Sequence, residues 1–199
     1  MKLYGTITSP FVRRVRVVAS ELGCPVELVD TAGEAGQAAL REVTPIRKVP
    51  VAVVDGRTLF DSRVIIDWLT TTRGFGGLAP PADRWREANL VNAIDAAVDS
   101  AIQLFYLRRD GIAIDGNPFA TRQLERVDAI FTWLGNELGP DARSFAPGVA
   151  SLGLAEISLV AVLDWMDFRQ TYPTERAPQL AELRAAWRAR PSLAATLPR

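Results

Sequence analysis

The hydrophobic pattern of the chain changes character at a stretch rich in Gly and Pro, residues 74–81. Before this stretch, short β-like runs alternate with helical patterns, whereas strand signals largely vanish after it. Gly and Pro interrupt regular structure, so a stretch rich in both is typical of a linker. With 199 residues, the chain is long enough for two small domains. We therefore expect an α/β domain over residues 1–76 and an all-helical domain over residues 82–199.

The first domain is predicted to contain four strands and three helices in the order β-α-β-α-β-β-α. Apolar spacing predicts strands near residues 2–8, 25–29, 51–54 and 57–60, and helices near residues 11–22, 35–43 and 62–69. A strand–helix–strand unit favours parallel pairing of the first two strands. Asp55-Gly56 suits a tight hairpin turn, which adds an antiparallel pair. The pattern indicates a small mixed sheet covered by helices.

The second domain is predicted to be helical throughout. Apolar residues recur at helical spacing over about residues 83–109, 119–138, 154–168 and 178–189. No uninterrupted apolar stretch approaches the length of a membrane span, and the first residues turn polar sooner than a signal peptide would. We therefore expect a cytoplasmic protein with no membrane partner.

The composition excludes several kinds of active site. The chain contains no His, which removes Ser-His-Asp triads, imidazole proton shuttles and the common His-ligated metal sites. Its one cysteine, Cys24, follows a predicted helix and is interpreted as a small buried apolar residue rather than a nucleophile. The 23 basic and 23 acidic residues cancel, which argues against a nucleic-acid partner. The sequence predicts no metal site.

Ser9 is well placed to cap the first helix, with Pro10 at the first helical position. The start of a helix also stabilises anions through its free N–H groups. A thiolate held there, with a Ser hydroxyl donating to it, would have a lowered pKa and would be reactive. Capping alone explains Ser9 as well, so the residue pattern leaves both roles open.

Two further segments of this domain suit both structural and binding roles. Pro50 comes just before an apolar strand, where it suits a cis turn or, alternatively, an ordinary trans loop. Asp61-Ser62 is placed to cap the third helix, and the same position can bind a carboxylate.

Taken in order, these segments resemble the cytosolic glutathione transferases. The resemblance is carried by residues 2–4, 9–16, 48–51, 59–65 and 153–157, and it is greatest for bacterial members whose Ser-Pro-Phe-Val-Arg start is similar to that of theta- and zeta-like enzymes. It implies a thioredoxin-like domain followed by an all-α domain. It also implies a homodimer that uses glutathione as a co-substrate, with no resident cofactor, and a small, largely apolar electrophile as partner.

The resemblance assigns roles to individual residues. The hydroxyl of Ser9 would donate to the glutathione sulfur. The backbone of Val49, next to a cis Pro50, would pair with the cysteinyl part, and Asp61 and Ser62 would receive the γ-glutamyl end. Further glutathione-binding positions are Phe11 and, for the glycyl carboxylate, Lys48, although a solvated lysine is the simpler interpretation of Lys48.

Two pairs on the first long helix are assigned more distant roles. Phe105 and Tyr106 would form an apolar wall of an electrophile pocket, although aromatic residues at helical spacing are also typical of a core. Asp95 and Asp99 are four residues apart and share one helix face. They are either a solvated acidic face or a pair that reaches the γ-glutamyl amine in the partner subunit.

The sequence departs from the family pattern at three places. Asp61 stands where Glu is usual, and Gly153-Leu-Ala-Glu156 stands where Ser/Thr-x-x-Asp is common. The Ser-Ser-Cys of zeta-type isomerases is absent, which argues against that activity. No cysteine lies near Ser9, which argues against thiol chemistry of the protein itself. A non-catalytic interaction protein of the stringent-starvation type is the alternative, since fold does not imply function. The joint presence of Ser9, Pro50 and Ser62 favours glutathione binding.

Overall fold

The computed structural model describes residues 1–146 and 152–199. The chain divides into two compact units, residues 1–80 with residues 190–199, and residues 81–189. The predicted fold class, an α/β domain followed by a helical domain, is confirmed. The sequence prediction placed all of residues 82–199 in the helical domain, whereas the last ten residues belong to the first unit.

The first unit contains a four-stranded mixed sheet. Its strands are β1 (Lys2–Gly5), β2 (Glu27–Asp30), β3 (Val51–Val54) and β4 (Arg57–Leu59), in the spatial order β2-β1-β3-β4. β1 is parallel to β2, and β3 is antiparallel to β4, as predicted. β1 is also antiparallel to β3, a pairing that the sequence pattern did not specify.

β1 ends three residues earlier than the apolar pattern suggested. A Cβ built on Gly5 would lie 2.3 Å from a methyl carbon of Val12 in the following helix. After Gly5 the chain turns, and the Ser9 N–H donates to the carbonyl of Thr6 at 3.2 Å. The small residue allows that helix to pack closely against the end of the strand.

Four helices complete the first unit: α1 (Pro10–Glu21), α2 (Glu34–Val43), α3 (Ser62–Arg73) and α8 (Pro191–Ala194). α1 packs against both α3 and α8. Its valines and Ala19 are fully buried, so α1 supplies much of the core of this unit.

Buried polar contacts attach the C-terminal residues to α1. The Arg13 side chain, 2% exposed, donates to the carbonyl of Leu193 at 3.0 Å and to the hydroxyl of Thr196 at 3.3 Å. At the other end of α1, Glu21 and Arg190 form two hydrogen bonds of 2.7 Å each. The hydrogen bond from Arg190 holds the pKa of the Glu21 carboxyl below its ordinary value. These contacts join residues far apart in sequence and leave no periodic pattern from which they could be predicted.

The second unit is built from α4 (Arg84–Arg109), α5 (Pro118–Asn136), α6 (Leu154–Arg169) and α7 (Ala181–Arg188), with 3₁₀ turns at Thr174–Arg176 and Pro178–Leu180. α4 packs against α5 and α6, and α6 packs against α7. Residues 155–166 of α6 are all buried, so this helix forms the centre of the unit.

α4 is long and apolar enough to cross a membrane, judged by length and composition alone. Leu90, Val91, Ile94, Val98 and Leu104 of α4 are nearly inaccessible. Such burial is typical of a core helix in a folded domain, and this role accounts for the length and apolar composition of α4.

Two carboxylates replace the missing side-chain cap of α6. Glu156 accepts hydrogen bonds from the backbone N–H groups of Gly153 at 2.9 Å and Phe145 at 2.8 Å. Glu87 of α4 accepts from the N–H of Leu154. Burial raises the pKa of both carboxyls, and the charge of Glu156 raises that of Glu87 further. Although Gly153 replaces the usual capping residue, the N–H groups of Gly153 and Leu154 at the helix start still have carboxylate acceptors.

Candidate functional site

The register of β1 and β3 places Ser9 and Pro50 at the same end of the sheet. Tyr4, near the end of β1, pairs with Val51, the first residue of β3. Ser9 follows β1 after a short turn, and Pro50 immediately precedes β3. Because the two strands are antiparallel, the end of one lies beside the start of the other.

The start of α3 lies at this end as well. Leu59, the last residue of β4, pairs with Ala52 near the start of β3. After Phe60, Asp61 caps α3 and Ser62 is its first residue. The sheet therefore brings together the three segments that the sequence analysis selected independently.

Ser9 caps α1 with its side chain. Its Oγ accepts a hydrogen bond from the Val12 N–H at 3.3 Å, and its carbonyl accepts from the Arg13 N–H at 2.9 Å. Pro10 occupies the first helical position, as predicted. Ser9 is partly exposed. A hydroxyl oxygen that accepts one hydrogen bond keeps its O–H free to donate, so capping and donation to a bound sulfur are compatible.

The Val49–Pro50 peptide bond is cis, which is one of the two alternatives that the sequence left open. Pro50 is buried, Val49 is partly exposed and Lys48 is exposed. Val49 is thus partly accessible where it precedes Pro50 and β3.

Asp61 caps α3, as its position predicted. Its Oδ1 accepts a hydrogen bond from the Arg63 N–H at 2.9 Å, and the residue is exposed. A carboxylate is therefore held at the surface at the N-terminus of this helix, where it is favoured by the helix dipole.

Ser62 is 1% exposed, and its hydroxyl has a buried partner that the sequence analysis did not identify. Nε and Nη2 of Arg14 donate to its Oγ at 3.0 and 2.7 Å. Arg14 is itself 2% exposed, and its guanidinium carbon lies 5.0 Å from the centre of the Phe11 ring.

A signal for this contact is present in the sequence. Arg14 lies three residues after Phe11 and four before Val18, so helical spacing places it on the apolar face of α1. A charged residue on such a face indicates a buried polar partner, because burying it unpaired is costly. The identity of that partner depends on how α1 packs on α3, which spacing does not give.

The residues assigned to an electrophile pocket form an aromatic cluster on the helical unit. The ring centres of Phe105 and Tyr106 are 5.6 Å apart, and Trp165 meets Phe105 edge-on at 6.1 Å. Tyr106 is 48% exposed, whereas Phe105 is partly buried. The guanidinium carbon of Arg169 lies 5.1 Å from the centre of the Phe105 ring. Their assignment to a pocket wall stays a prediction.

Asp95, Asp99 and Cys24 are the remaining positions that the sequence singled out. Asp95 is partly buried and Asp99 is exposed on α4, and each has an interaction partner. Their role across a subunit contact stays a prediction. Cys24 is buried, as predicted, with its Sγ 3.9 Å from the carbonyl of Pro25. Among residues 1–146 and 152–199, no group of His, Cys, Asp or Glu is arranged to hold a metal ion.

Two family models match the chain in series. Residues 3–77 match "Glutathione S-transferase, N-terminal domain", and residues 83–195 match "Glutathione S-transferase, C-terminal domain". Together they span nearly the entire chain.

The chain is also similar to individual proteins of this kind. A glutathione S-transferase from Methylobacillus flagellatus, solved with glutathione bound, superposes with a TM-score of 0.81 at 27% identity, covering 100% of this chain and 99% of that one. One from Methylobacterium radiotolerans, solved with glutathione sulfonate, gives a TM-score of 0.83 at 24% identity over 99% and 94% of the two chains. The uncharacterised GST-like protein YibF of Escherichia coli is 24% identical over 87% of this chain and 85% of its own length.

Proposed function

Because the chain belongs to the glutathione S-transferase family, we propose that it binds glutathione and activates its thiol for attack on a small electrophile. The observation that carries the proposal is the meeting of Ser9, Val49–Pro50 and Asp61–Ser62 at one end of the sheet. Structures similar to this chain at 26–27% identity hold glutathione, which supports the choice of ligand.

Glutathione is proposed to lie across the sheet end, in contact with all three segments. The backbone of Val49 pairs with the cysteinyl backbone, and Lys48 lies near the glycyl carboxylate. The start of α3 receives the γ-glutamyl end: its N–H groups and the Ser62 hydroxyl face the α-carboxylate, and Asp61 faces the α-amine. A helix start is a suitable place for such an anion, because its free N–H groups and dipole both favour negative charge.

The sulfur then lies near Ser9. The hydroxyl of Ser9 donates to the thiolate, which lowers the pKa of the bound thiol. With no His in the chain, the thiol proton passes to solvent water. The thiolate electron pair forms the new bond to an electrophilic carbon, and the leaving group departs with its own electron pair. Phe11 supplies apolar surface beside Ser9.

Thermal denaturation with reduced glutathione tests binding. At 100 times its dissociation constant the ligand adds about 2.7 kcal/mol to the free energy of unfolding, so the melting temperature rises.

Ser62→Ala is expected to raise the dissociation constant of glutathione and to leave turnover at saturation nearly unchanged, because its contact is remote from the sulfur. Ser20→Ala, an exposed site on α1, is the matched control. Absence of any shift at millimolar glutathione would contradict the proposal and favour a non-catalytic interaction protein.

We also propose that the protein is a two-fold symmetric homodimer. The helical unit has an open groove of about 450 Å³ between α4 and α5, lined by Asn89, Ala93, Arg126, Ala129, Ile130 and Trp133. The first unit exposes two large apolar side chains, Ile46 at 50% and Val64 at 48%. These surfaces support a contact in which the α/β unit of one subunit packs on α4 and α5 of the other.

Light scattering at micromolar concentration is expected to give twice the chain mass of 21.8 kDa. Trp133→Glu should shift the protein toward the monomer, because it places a charge in the groove. Trp85→Glu, at a 70% exposed site outside the groove lining, should not change the oligomeric state.

If Asp95 or Asp99 reaches the partner's site, its Asn variant binds glutathione more weakly. A monomeric parent, or unchanged affinity in both variants, would refute that cross-subunit contact.

A further inference from the structure

We infer that residues 190–199 form a strap that sets the position of the Ser9 hydroxyl, and that Arg13 is the positioning residue through which the strap acts. The strap contains α8 and belongs to the first unit. The inference rests on the proposed function, because the position of Ser9 matters to the reaction if its hydroxyl donates to the glutathione sulfur. It gives a part in catalysis to a segment that is remote from Ser9 in the sequence.

Arg13 is joined to Ser9 through its backbone and to the strap through its side chain. Its N–H donates to the carbonyl of Ser9 at 2.9 Å and so closes the first turn of α1. The residue is 2% exposed, and its Nη2 donates to the carbonyl of Leu193 at 3.0 Å. Its Nε donates to the hydroxyl of Thr196 at 3.3 Å. One buried side chain therefore connects the strap with the turn that carries Ser9.

The acceptors in the strap are themselves held in place. Leu193 lies near the end of α8, where helix carbonyls lack partners within the helix and a guanidinium is a suitable donor. The Thr196 hydroxyl donates to the carbonyls of Ser192 at 2.9 Å and Leu193 at 3.1 Å, so its lone pairs are available to Arg13. Leu193 is fully buried and Thr196 is 6% exposed. Solvent therefore does not replace the Arg13 donors when they are lost.

The first turn of α1 is fixed from two directions. Val12 faces β1, where a Cβ on Gly5 would lie 2.3 Å from a Val12 methyl carbon. Arg13 points about 100° further around the helix and meets the strap. The hydrogen bond from the Val12 N–H to the Ser9 Oγ is long, at 3.3 Å, so the position of the hydroxyl depends on how firmly this turn is held. Catalysis is sensitive to such placement, since a displacement of about 1 Å can lower a rate by about 10².

The strap is also attached at the far end of α1, which provides an internal comparison. Nε and Nη2 of Arg190 donate to the two carboxylate oxygens of Glu21 at 2.7 Å each, and the Ser192 hydroxyl donates to the same carboxylate. Glu21 is the last residue of α1, so this attachment lies at the opposite end of the helix from Ser9. We therefore expect the attachment at Arg13 to affect the reaction and the attachment at Glu21 to affect stability alone.

Arg13→Gln is the first test, because it removes the charged donors that reach the strap. The pKa of the bound glutathione thiol, followed by the ultraviolet absorbance of the thiolate, is expected to rise toward that of free glutathione. kcat should fall about fivefold, since the Ser9 hydroxyl is displaced and not removed. KM for glutathione should not change, because the contacts proposed for binding lie at β3 and α3. Glu21→Gln is the matched control, and it should lower the melting temperature while changing neither the thiol pKa nor kcat.

Thr196→Val is the second test, and it decides the question if Arg13→Gln does not fold. Val has a similar shape but cannot accept a hydrogen bond from Nε of Arg13, so the thiol pKa should rise here as well. Thr196→Ser keeps the hydroxyl and should keep the thiol pKa of the parent protein. In a Ser9→Ala background, Arg13→Gln should cause no further loss of kcat, because the hydroxyl through which it acts is already absent.

The outcomes separate this inference from the proposed function. If Arg13→Gln and Thr196→Val leave the thiol pKa unchanged, or if Glu21→Gln raises it equally, the strap serves stability alone and the inference is overturned while thiol activation stands. Additive losses of kcat in the double variant overturn it as well, since Arg13 would then act independently of Ser9. If the parent protein binds glutathione without lowering the thiol pKa, the proposed function fails together with the inference.

Discussion

Ser9→Ala is expected to lower the turnover number for glutathione conjugation about 10- to 100-fold, with a much smaller change in the dissociation constant of glutathione. Removing one donor from an oxyanion costs about 2.7–4 kcal/mol of activation free energy in well-studied enzymes. A sulfur anion is larger and accepts hydrogen bonds more weakly, so the loss should be smaller here. The pH–rate profile should move to higher pH, since the bound thiol loses the interaction that lowers its pKa.

Because Ser9 also caps α1, a second variant has to separate the two roles. Ser9→Gly removes the hydroxyl but costs only a few tenths of a kcal/mol as a helix cap, whereas Ala typically costs about 1 kcal/mol. Both variants should lose the same turnover, although Ala melts at a lower temperature than Gly. Steady-state kinetics over a range of pH and thermal denaturation measure the two effects. Full turnover in Ser9→Gly on every accepted substrate would leave Ser9 as a cap and nothing more.

The features of this molecule that were predictable from sequence are those set by neighbouring residues. Helix caps at Ser9 and Asp61 and the proline at the start of α1 follow from contacts within one turn, and the structure contains each of them. The parallel β1–β2 pair and the antiparallel β3–β4 hairpin follow from the order of strands and the length of the connections, whereas the antiparallel β1–β3 pair does not.

Features that depend on packing between distant segments were not predictable in the same way. The attachment of residues 190–199 to α1 rests on Arg13 and on the Glu21–Arg190 pair, which join the two ends of the chain. The cap of α6 by Glu87 comes from another helix. None of these contacts produces a periodic pattern or a short motif in the sequence. They are identified from the positions of the helices in the structure.

The candidate site combines features that were predictable from local sequence with features that depend on packing between distant segments. Its three segments were found in the sequence, because each is a local pattern at the start of a helix or strand. Their meeting at one end of the sheet required the register of β1, β3 and β4. The burial of Ser62 against Arg14 required the packing of α1 on α3. Sequence therefore indicated which residues to consider, and the fold determined how Ser62 is oriented.

Asp164→Ala is expected to lower the free energy of unfolding by about 3–5 kcal/mol, the usual cost of breaking a buried ion pair. The Asp164 side chain is 1% exposed on α6. Its Oδ1 accepts a hydrogen bond from Nε of Arg184 at 2.8 Å and forms ion pairs with Nη2 of Arg184 at 2.6 Å and Nε of Arg188 at 3.1 Å. Both arginines belong to α7, so the carboxylate ties that helix to the centre of the unit. Its removal leaves the Arg184 side chain, 17% exposed, with Asp167 as its remaining carboxylate partner.

A surface pair of similar geometry provides the control. Asp110 and Arg109 are 2.8 Å apart, yet their side chains are 54% and 58% exposed. Solvent screening makes such pairs nearly neutral to stability, so Asp110→Ala should leave the urea midpoint unchanged. Arg184→Met combined with Asp164→Ala should recover part of the loss, because the Arg184 charge that has lost its buried partner is removed as well. Equal urea midpoints for Asp164→Ala and Asp110→Ala would show that burial adds nothing to this ion pair, and α7 would then be held by its apolar contacts alone.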